Sequence, residues 1–336
     1  MTEAFLGLSA AERSEALQVA ASTSGRPLHV LEKDVWVVWT LSALFESPFG
    51  KHLVFKGGTS LSKAYKAIER FSEDIDVTYD IRVIAEDLVK NASGDEPLPQ
   101  SKAQGKKWSD KVRERLPLWL NEAVLPYLQR QLEALELDAK ARVDDECIFI
   151  EYATQAQGHG YVAPRIKIEF GARSTGQPAE AQQVFCDAAE FVPGLIFPVA
   201  TPLVMRVERT VWEKMTAIHV FCLQGNIKDR LSRHWHDVAK LDAAGHVDAA
   251  LKSRAIARRV ASHKSWFFAA QDNAINYVSA VSGGLVLVPQ GTILEALAAD
   301  YAKMVEDRLF LREPEPFSWI IERCREIEKR ANAISK

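Results

Sequence analysis

One segment constrains this chain more than any other: Lys56 to Val77, which reads K-G-G-T-S-L-S-K-A-Y-K-A-I-E-R-F-S-E-D-I-D-V. It follows a short apolar run, His52 to Phe55, and closes on another from Ile75 to Ile81. The pattern is strand, glycine turn, helix over Thr59 to Glu69, strand. Gly57 and Gly58 let the backbone approach an anion closely, and a helix starting near Thr59, with Ser60 beside it, aims its free N–H groups at a phosphate. Asp74 and Asp76 stand two apart on extended chain and therefore share one face, with Ser72 in line. Two hard oxygen ligands so placed suit Mg2+, which grips the phosphates of a nucleotide. Lys56, Lys63 and Arg70 add positive charge around the same turn. Alone, an Asp-x-Asp pair reads most simply as a solvated strand edge; the upstream Gly-Gly-Thr-Ser and Ser72 turn the reading toward phosphate transfer.

The rest of the chain supplies a setting for that segment. At 336 residues it is long enough for two domains. A mixed first half, 1–204, precedes a helical second half, 205–336. Ser9-Ala-Ala-Glu12 fits a capping box before a helix to about Ala21, and Leu28 to Glu46 has helical spacing. Lys90 to Lys107 turns rich in Asn, Ser, Gly, Pro, Gln and Lys, the composition of a long mobile loop or insertion. Trp108 to Leu137 is helical again. Two strands, Cys147 to Tyr152 and Tyr161 to Phe170, flank a Gln-Gly-His-Gly turn, and Pro193 to Val204 is extended. Helices are expected over Arg206 to Leu223, Asp229 to Ala243, Ala249 to Asp272, Thr292 to Glu306 and Pro316 to Ile334, with Val281 to Val288 as a loop or short strand.

Charge and cysteine usage exclude several classes. A net charge of -3 rules out a uniformly basic nucleic-acid glove, so any RNA contact uses a local patch or metal ions. Cys147, Cys186, Cys222 and Cys324 are widely spaced, which argues against zinc and disulfides and for a reducing cytoplasm. No apolar run reaches the ~20 residues that span a bilayer, and residues 1–30 lack a signal-peptide pattern, so no membrane partner is expected.

Further candidates lie downstream. Arg165, Lys167 and Glu169 alternate with Ile166, Ile168 and Phe170, one polar and one apolar face. Glu169 supplies a third carboxylate for two-metal chemistry, as ligand or as proton acceptor, although such a face is equally that of a solvated strand. Lys214 sits in the mostly apolar stretch Val211 to Val220, where a lone ammonium is costly unless an anion meets it. Asp237, one turn after Arg233 and His234, is a partner for Lys214 or for those neighbours. His234 and His236 diverge on a helix and are not read as a metal pair. Arg254, Arg258, Arg259 and Lys264 with Trp266, Phe267 and Phe268 read as core aromatics beneath a solvated charged face, and His159 as a turn residue.

Lys56-Gly-Gly-Thr-Ser-Leu-Ser-Lys followed by Arg70-Phe-Ser-Glu-Asp-Ile-Asp resembles the signature of the AbiEii/AbiGii (MenT-like) family of toxin nucleotidyltransferases. Glu213-Lys214-x-x-Ala217 and Arg233-His-Trp-His-Asp237-Val-x-x-Leu241 follow in the family's order, the latter with His234 and His236 where the family often has Arg-Asp. The resemblance spans about residues 30 to 245. It implies an α/β (α+β) nucleotidyltransferase fold: a mixed sheet with flanking helices, plus a C-terminal helical domain closing the cleft. It further implies Asp74 and Asp76 as Mg2+ ligands (Mn2+ being the alternative ion), with Ser72 and the turn Gly57 to Ser60 as triphosphate cradle. Lys214 becomes a phosphate contact, and Asp237 completes the site. The expected activity is NMP transfer from an NTP to tRNA or another RNA, by a toxin of a toxin–antitoxin or phage-defence system with a separately encoded antitoxin. Two rivals are transfer to a small molecule or protein, and a non-catalytic nucleotide-binding module.

Overall fold

Ser9 opens the first helix, α1 (Ala10–Ser24), with a closed capping box: its hydroxyl accepts from the Glu12 N–H while the Glu12 carboxylate accepts from Ser9. Gly25, at φ 72°, ends the helix in the left-handed region. After Pro27 the chain enters α2 (Leu28–Phe45), buried along nearly its whole length. These belong to a computed structural model that describes residues 3–92, 94–154, 163–225, 229–268, 276–306 and 310–333. Its contacts divide the chain into two units: Met1–Ala64, Ser72–Lys90 and Asp110–Val204 form the first, and Tyr65–Phe71, Asn91–Ser109 and Met205–Lys336 the second.

The first unit is organised by a seven-stranded mixed sheet. Its strands are β1 (Leu53–Lys56), β2 (Ile75–Tyr79), β3 (Ala139–Asp144), β4 (Cys147–Tyr152), β5 (Arg165–Gly171), β6 (Ala179–Ala181) and β7 (Leu203–Met205). They lie in the order β3-β4-β5-β2-β1-β7-β6. β2 runs antiparallel to β1 and parallel to β5, and β3, β4 and β5 form a meander. Alternation sorts the side chains. Leu53, Phe55, Ile75, Val77, Ile148, Ile150, Ile166, Ile168 and Phe170 are buried, and an aromatic layer covers part of the same side: Trp36 of α2 stacks on Tyr152 at 4.7 Å and Trp119 on Tyr79 at 4.0 Å. Each such aliphatic contributes about 1.5–3 kcal/mol by burial, so a one-residue slip, which would turn them all outward, is strongly disfavoured. Lys56, Asp76, Glu169, Lys167 and Arg165 take the opposite face by the same alternation.

Three departures from the sequence expectations matter here. The helix after the glycine turn, α3 (Gly57–Lys63), stops well before Glu69; Lys66 has φ 50°, and Tyr65–Phe71 joins the second unit. The expected loop to Lys107 ends sooner, because α4 (Lys102–Trp119) has already begun, and a π turn (Leu120–Val124) carries it into α5 (Leu125–Ala134). Strand β3 was not anticipated, since Ala139, Ala141 and Val143 give it only a weakly apolar face. The Gln-Gly-His-Gly turn with His159 lies outside the described residues.

The second unit is helical: α6 (Val207–Gln224), α7 (Ser232–Ala243), α8 (His246–Lys252), α9 (Arg254–Phe267), α10 (Thr292–Glu306) and α11 (Phe317–Ala333). The single helix expected from Ala249 instead breaks at Ser253, whose ψ of 61° is non-helical. Trp212 and Trp235 are fully buried and donate their indole N–H groups to the carbonyls of Ala250 and Leu287, at 2.8 and 2.7 Å. Val281 to Val288 is a loop, held by Glu328 accepting from the N–H groups of Leu287 and Val288. All four cysteines are free thiols, and no described helix is long and apolar enough to cross a membrane.

Candidate active site

In the first unit β1 ends at Lys56 and the chain turns sharply at Gly57, φ 80°. A Cβ at that position would lie 2.0 Å from Asp76 Oδ2. Only glycine leaves room for the carboxylate there, so the turn and Asp76 are in direct contact. In the sheet register Asp76 has Lys56 beside it on β1 and Glu169 beside it on β5. Asp74 precedes β2 by one residue. Burial pushes its carboxyl above the usual range, Glu73, Glu169 and Asp76 push the same way, and Lys167 opposes them. Asp74 and Asp76 offer hard oxygen donors, the type that a dication such as Mg2+ or Mn2+ takes. Among the described residues, however, no three carboxylate, imidazole or thiolate groups form a ready ligand cage. Glu169, expected to be a third ligand, is ion-paired with Lys167.

The hydroxyls of the turn face inward. Thr59, fully buried, donates to the Asp74 carbonyl at 2.5 Å and lies 2.9 Å from Ser72 Oγ. Ser60 donates to the Gly57 carbonyl at 2.9 Å. Both side chains therefore brace the turn, and only its backbone remains to meet a phosphate. Lys63 is likewise internal: its ammonium bonds Asp34 at 2.5 Å and Asp187 at 2.6 Å, tying α3 to α2. A second buried cation of α2, Lys33, bonds Glu73 and the Ala163 carbonyl and so anchors the residue between Ser72 and Asp74. Neither pair was anticipated, although Lys33-Asp34 inside an otherwise apolar helix is a signal that long-range partners exist.

The second unit contains a separate charged centre. Asp237, wholly buried, accepts from Arg70 Nε and Nη2, each at 2.7 Å, and from Lys214 at 2.9 Å. Burial alone would raise its carboxyl, but Arg70 and Lys214 outweigh that and hold it well below the usual range. Two buried cations for one carboxylate leave positive charge in surplus. Lys214 is pushed down by burial and, against the pull of Asp237, by Arg70 and Arg233. His236 Nδ1 lies 3.3 Å from Asp237, whereas His234 packs on Phe221 with ring centroids 5.6 Å apart. The two imidazoles diverge as the helical spacing requires. Lys214 and Asp237 are brought together, joined by Arg70, whose guanidinium Asp237 engages. Of the aromatics after Arg254, expected in the core, Phe267 stacks with Trp108 at 6.5 Å and is half-buried, whereas Phe268 is exposed.

A family model described as nucleotidyl transferase AbiEii toxin, type IV TA system, matches residues 39–323. Among solved structures, MenT4, a nucleotidyltransferase toxin from Mycobacterium tuberculosis H37Rv, aligns with 95% of this chain and 99% of its own at 16% identity and a TM-score of 0.44. No curated protein sequence matches the chain.

Proposed function

The chain belongs to the AbiEii family of nucleotidyltransferase toxins of type IV toxin–antitoxin systems, and from that premise we propose that it transfers a nucleoside monophosphate from an NTP to an RNA, the 3′ end of tRNA, in the cytoplasm. The observation that supports this reading most is the contact between the Asp76 carboxylate and the Gly57 turn. It sets a cation ligand against a backbone that only glycine permits, the combination a metal-bound triphosphate needs.

In this proposal Asp74 and Asp76 hold Mg2+, which when bound neutralises phosphate charge and polarises the α-phosphorus. The backbone of Gly57 and Gly58 receives the polyphosphate, Lys56 adds a positive charge at its edge, and Thr59, Ser60 and Ser72 keep the turn in shape. An acceptor hydroxyl gives up its proton to water and forms the new P–O bond as the bond to pyrophosphate breaks, the pyrophosphate leaving with the electron pair. Positioning and charge neutralisation supply most of the rate. Within the second unit, Asp237 orients Lys214 together with Arg70. Membership in a toxin–antitoxin family also implies a cognate antitoxin.

The test is incubation of the protein with each α-labelled NTP in turn, total tRNA and Mg2+. Label at the tRNA 3′ end is the expected result. Label confined to protein or to small molecules would move the acceptor to another class, and absence of pyrophosphate release with every nucleotide would remove the transferase reading.

A further inference from the structure

Basic residues gather on one part of the second unit. Segments 97–109 and 252–268 hold eight lysines and arginines and no Asp or Glu, in a chain whose net charge is -3. The two segments meet in the fold: Trp108 of α4 stacks on Phe267 of α9 at 6.5 Å, and a Cβ on Gly105 would lie 3.7 Å from the Trp266 carbonyl. Trp108 and Gly105 are buried, which leaves Lys102, Lys106 and Lys107 exposed on the first two turns of α4. On α9, Arg258 and Trp266 share a stripe at i and i+8, Arg258 exposed, Trp266 half-buried and Arg259 adjoining. Phe268, at the end of the helix, is 51% exposed. Arg254 and Lys264 donate inward, to the Val281 and Glu213 carbonyls. Carboxylates on the elements packed against α9 pair with cations outside the two segments: Glu208 with Arg206, Glu96 and Glu213 with Arg209, and Asp248 with Arg330. Asp95, itself 80% exposed, reaches Arg259 at 3.5 Å, and a pair so open to water offsets little of the local charge.

We propose that this surface holds the RNA acceptor, its backbone phosphates on the lysines and arginines and one unstacked base against Phe268. The proposal rests on the reading of RNA as the acceptor and adds which part of the chain binds it. Like charges crowded on one surface repel one another, and a polyanion relieves that repulsion. Phosphate contacts supply affinity without regard to sequence, and stacking on an aromatic ring is equally tolerant because every base has a π-face. A surface built from these two contacts binds the backbone and one splayed base and does not choose among sequences.

Binding of labelled tRNA to the nucleotide-free full-length protein in EDTA, followed by fluorescence anisotropy over a series of salt concentrations, tests this apart from transfer. Lys106→Ala combined with Arg258→Ala should weaken binding roughly tenfold and lower the slope of log affinity against log salt by about 1.5, the loss of two phosphate contacts. Lys51→Ala combined with Lys140→Ala, an equal charge change at exposed positions outside the two segments, should stay within about twofold. Phe268→Ala should weaken binding of poly(U) about fivefold or more, the effect of one stacked base, with the salt slope unchanged. Poly(U) should displace the tRNA, and poly-glutamate at the same charge concentration should not. Equal losses in the two double variants, or none in the first, overturn the proposal while leaving RNA as the acceptor, and unchanged poly(U) binding in Phe268→Ala overturns the stacked base. Displacement by poly-glutamate overturns it in favour of an acidic protein as the occupant. If the unaltered protein binds no RNA and labels another acceptor, the RNA reading fails and this one with it. The altered side chains are exposed, and matched circular dichroism spectra check that each variant is folded.

Discussion

The two charged centres of this protein use the same residue types and are balanced in opposite senses. Beside the open sheet face of the first unit, Asp74 is pushed above the usual carboxylate range, by burial first and by its acidic neighbours Glu73, Glu169 and Asp76 next. In the second unit, Asp237 is sealed from solvent, met by two cations and held well below that range. A carboxylate whose charge is unmet is poised for a ligand, while one whose charge is over-met is a structural keystone that orients its partners. Function and stability should therefore respond differently at the two places.

The largest effect is expected at the keystone. Asp237→Ala removes the buried carboxylate that Arg70 and Lys214 share and should cost about 3–5 kcal/mol, read as a lower urea midpoint. A midpoint near that of the unaltered protein would mean the centre is open to water and would erase the contrast. Next, Gly57→Ala drives a methyl into the Asp76 carboxylate. Transfer should fall about 100-fold, the scale of a misplaced reacting group, and unaltered transfer would separate Asp76 from the turn. Thr59→Val should cost about 1–3 kcal/mol by leaving the Asp74 carbonyl and Ser72 without their buried partner, and Thr59→Ser should recover most of it.

Acid should reveal the second centre in two steps. His234 is held well below 6.5, by burial first and then by Lys214 and Arg233, so the unfolded chain takes up that proton before the folded one. Stability therefore declines as pH falls below about 6.5, and His234→Gln should remove part of this first step. Asp237 is depressed in the folded state, so its contribution is complete above the unfolded value of about 3.9 and is lost below it. Urea midpoints at a series of pH values check both; a midpoint constant from pH 7 to pH 4 would contradict the first. The smallest effect belongs to exposed pairs such as Arg142 with Glu151, whose removal should change stability by no more than about 1 kcal/mol.

What the sequence made legible is what local periodicity encodes. The capping box at Ser9, α2 and the strand–turn–helix–strand order all follow from spacings of two to four residues. What stayed hidden depends on distant partners. Lys63 reads as a phosphate contact until Asp187, 124 positions away, takes its ammonium. Arg70 reads as part of the glycine turn until Asp237, 167 positions away, takes its guanidinium. The helix after the glycine turn ends at Lys63 where the chain passes into the second unit at Tyr65, although Ala64 to Glu69 is compatible with helix.

The central claim is that Asp74 and Asp76 of the first unit are the reaction centre. Asp74→Asn tests it most directly, with transfer of labelled nucleotide to tRNA and urea unfolding in the absence of metal both measured on the same preparation. The prediction is loss of transfer together with an unfolding midpoint equal to or above that of the unaltered protein, a gain of up to about 0.5–2 kcal/mol from removing a repelled charge. Retained transfer would contradict it.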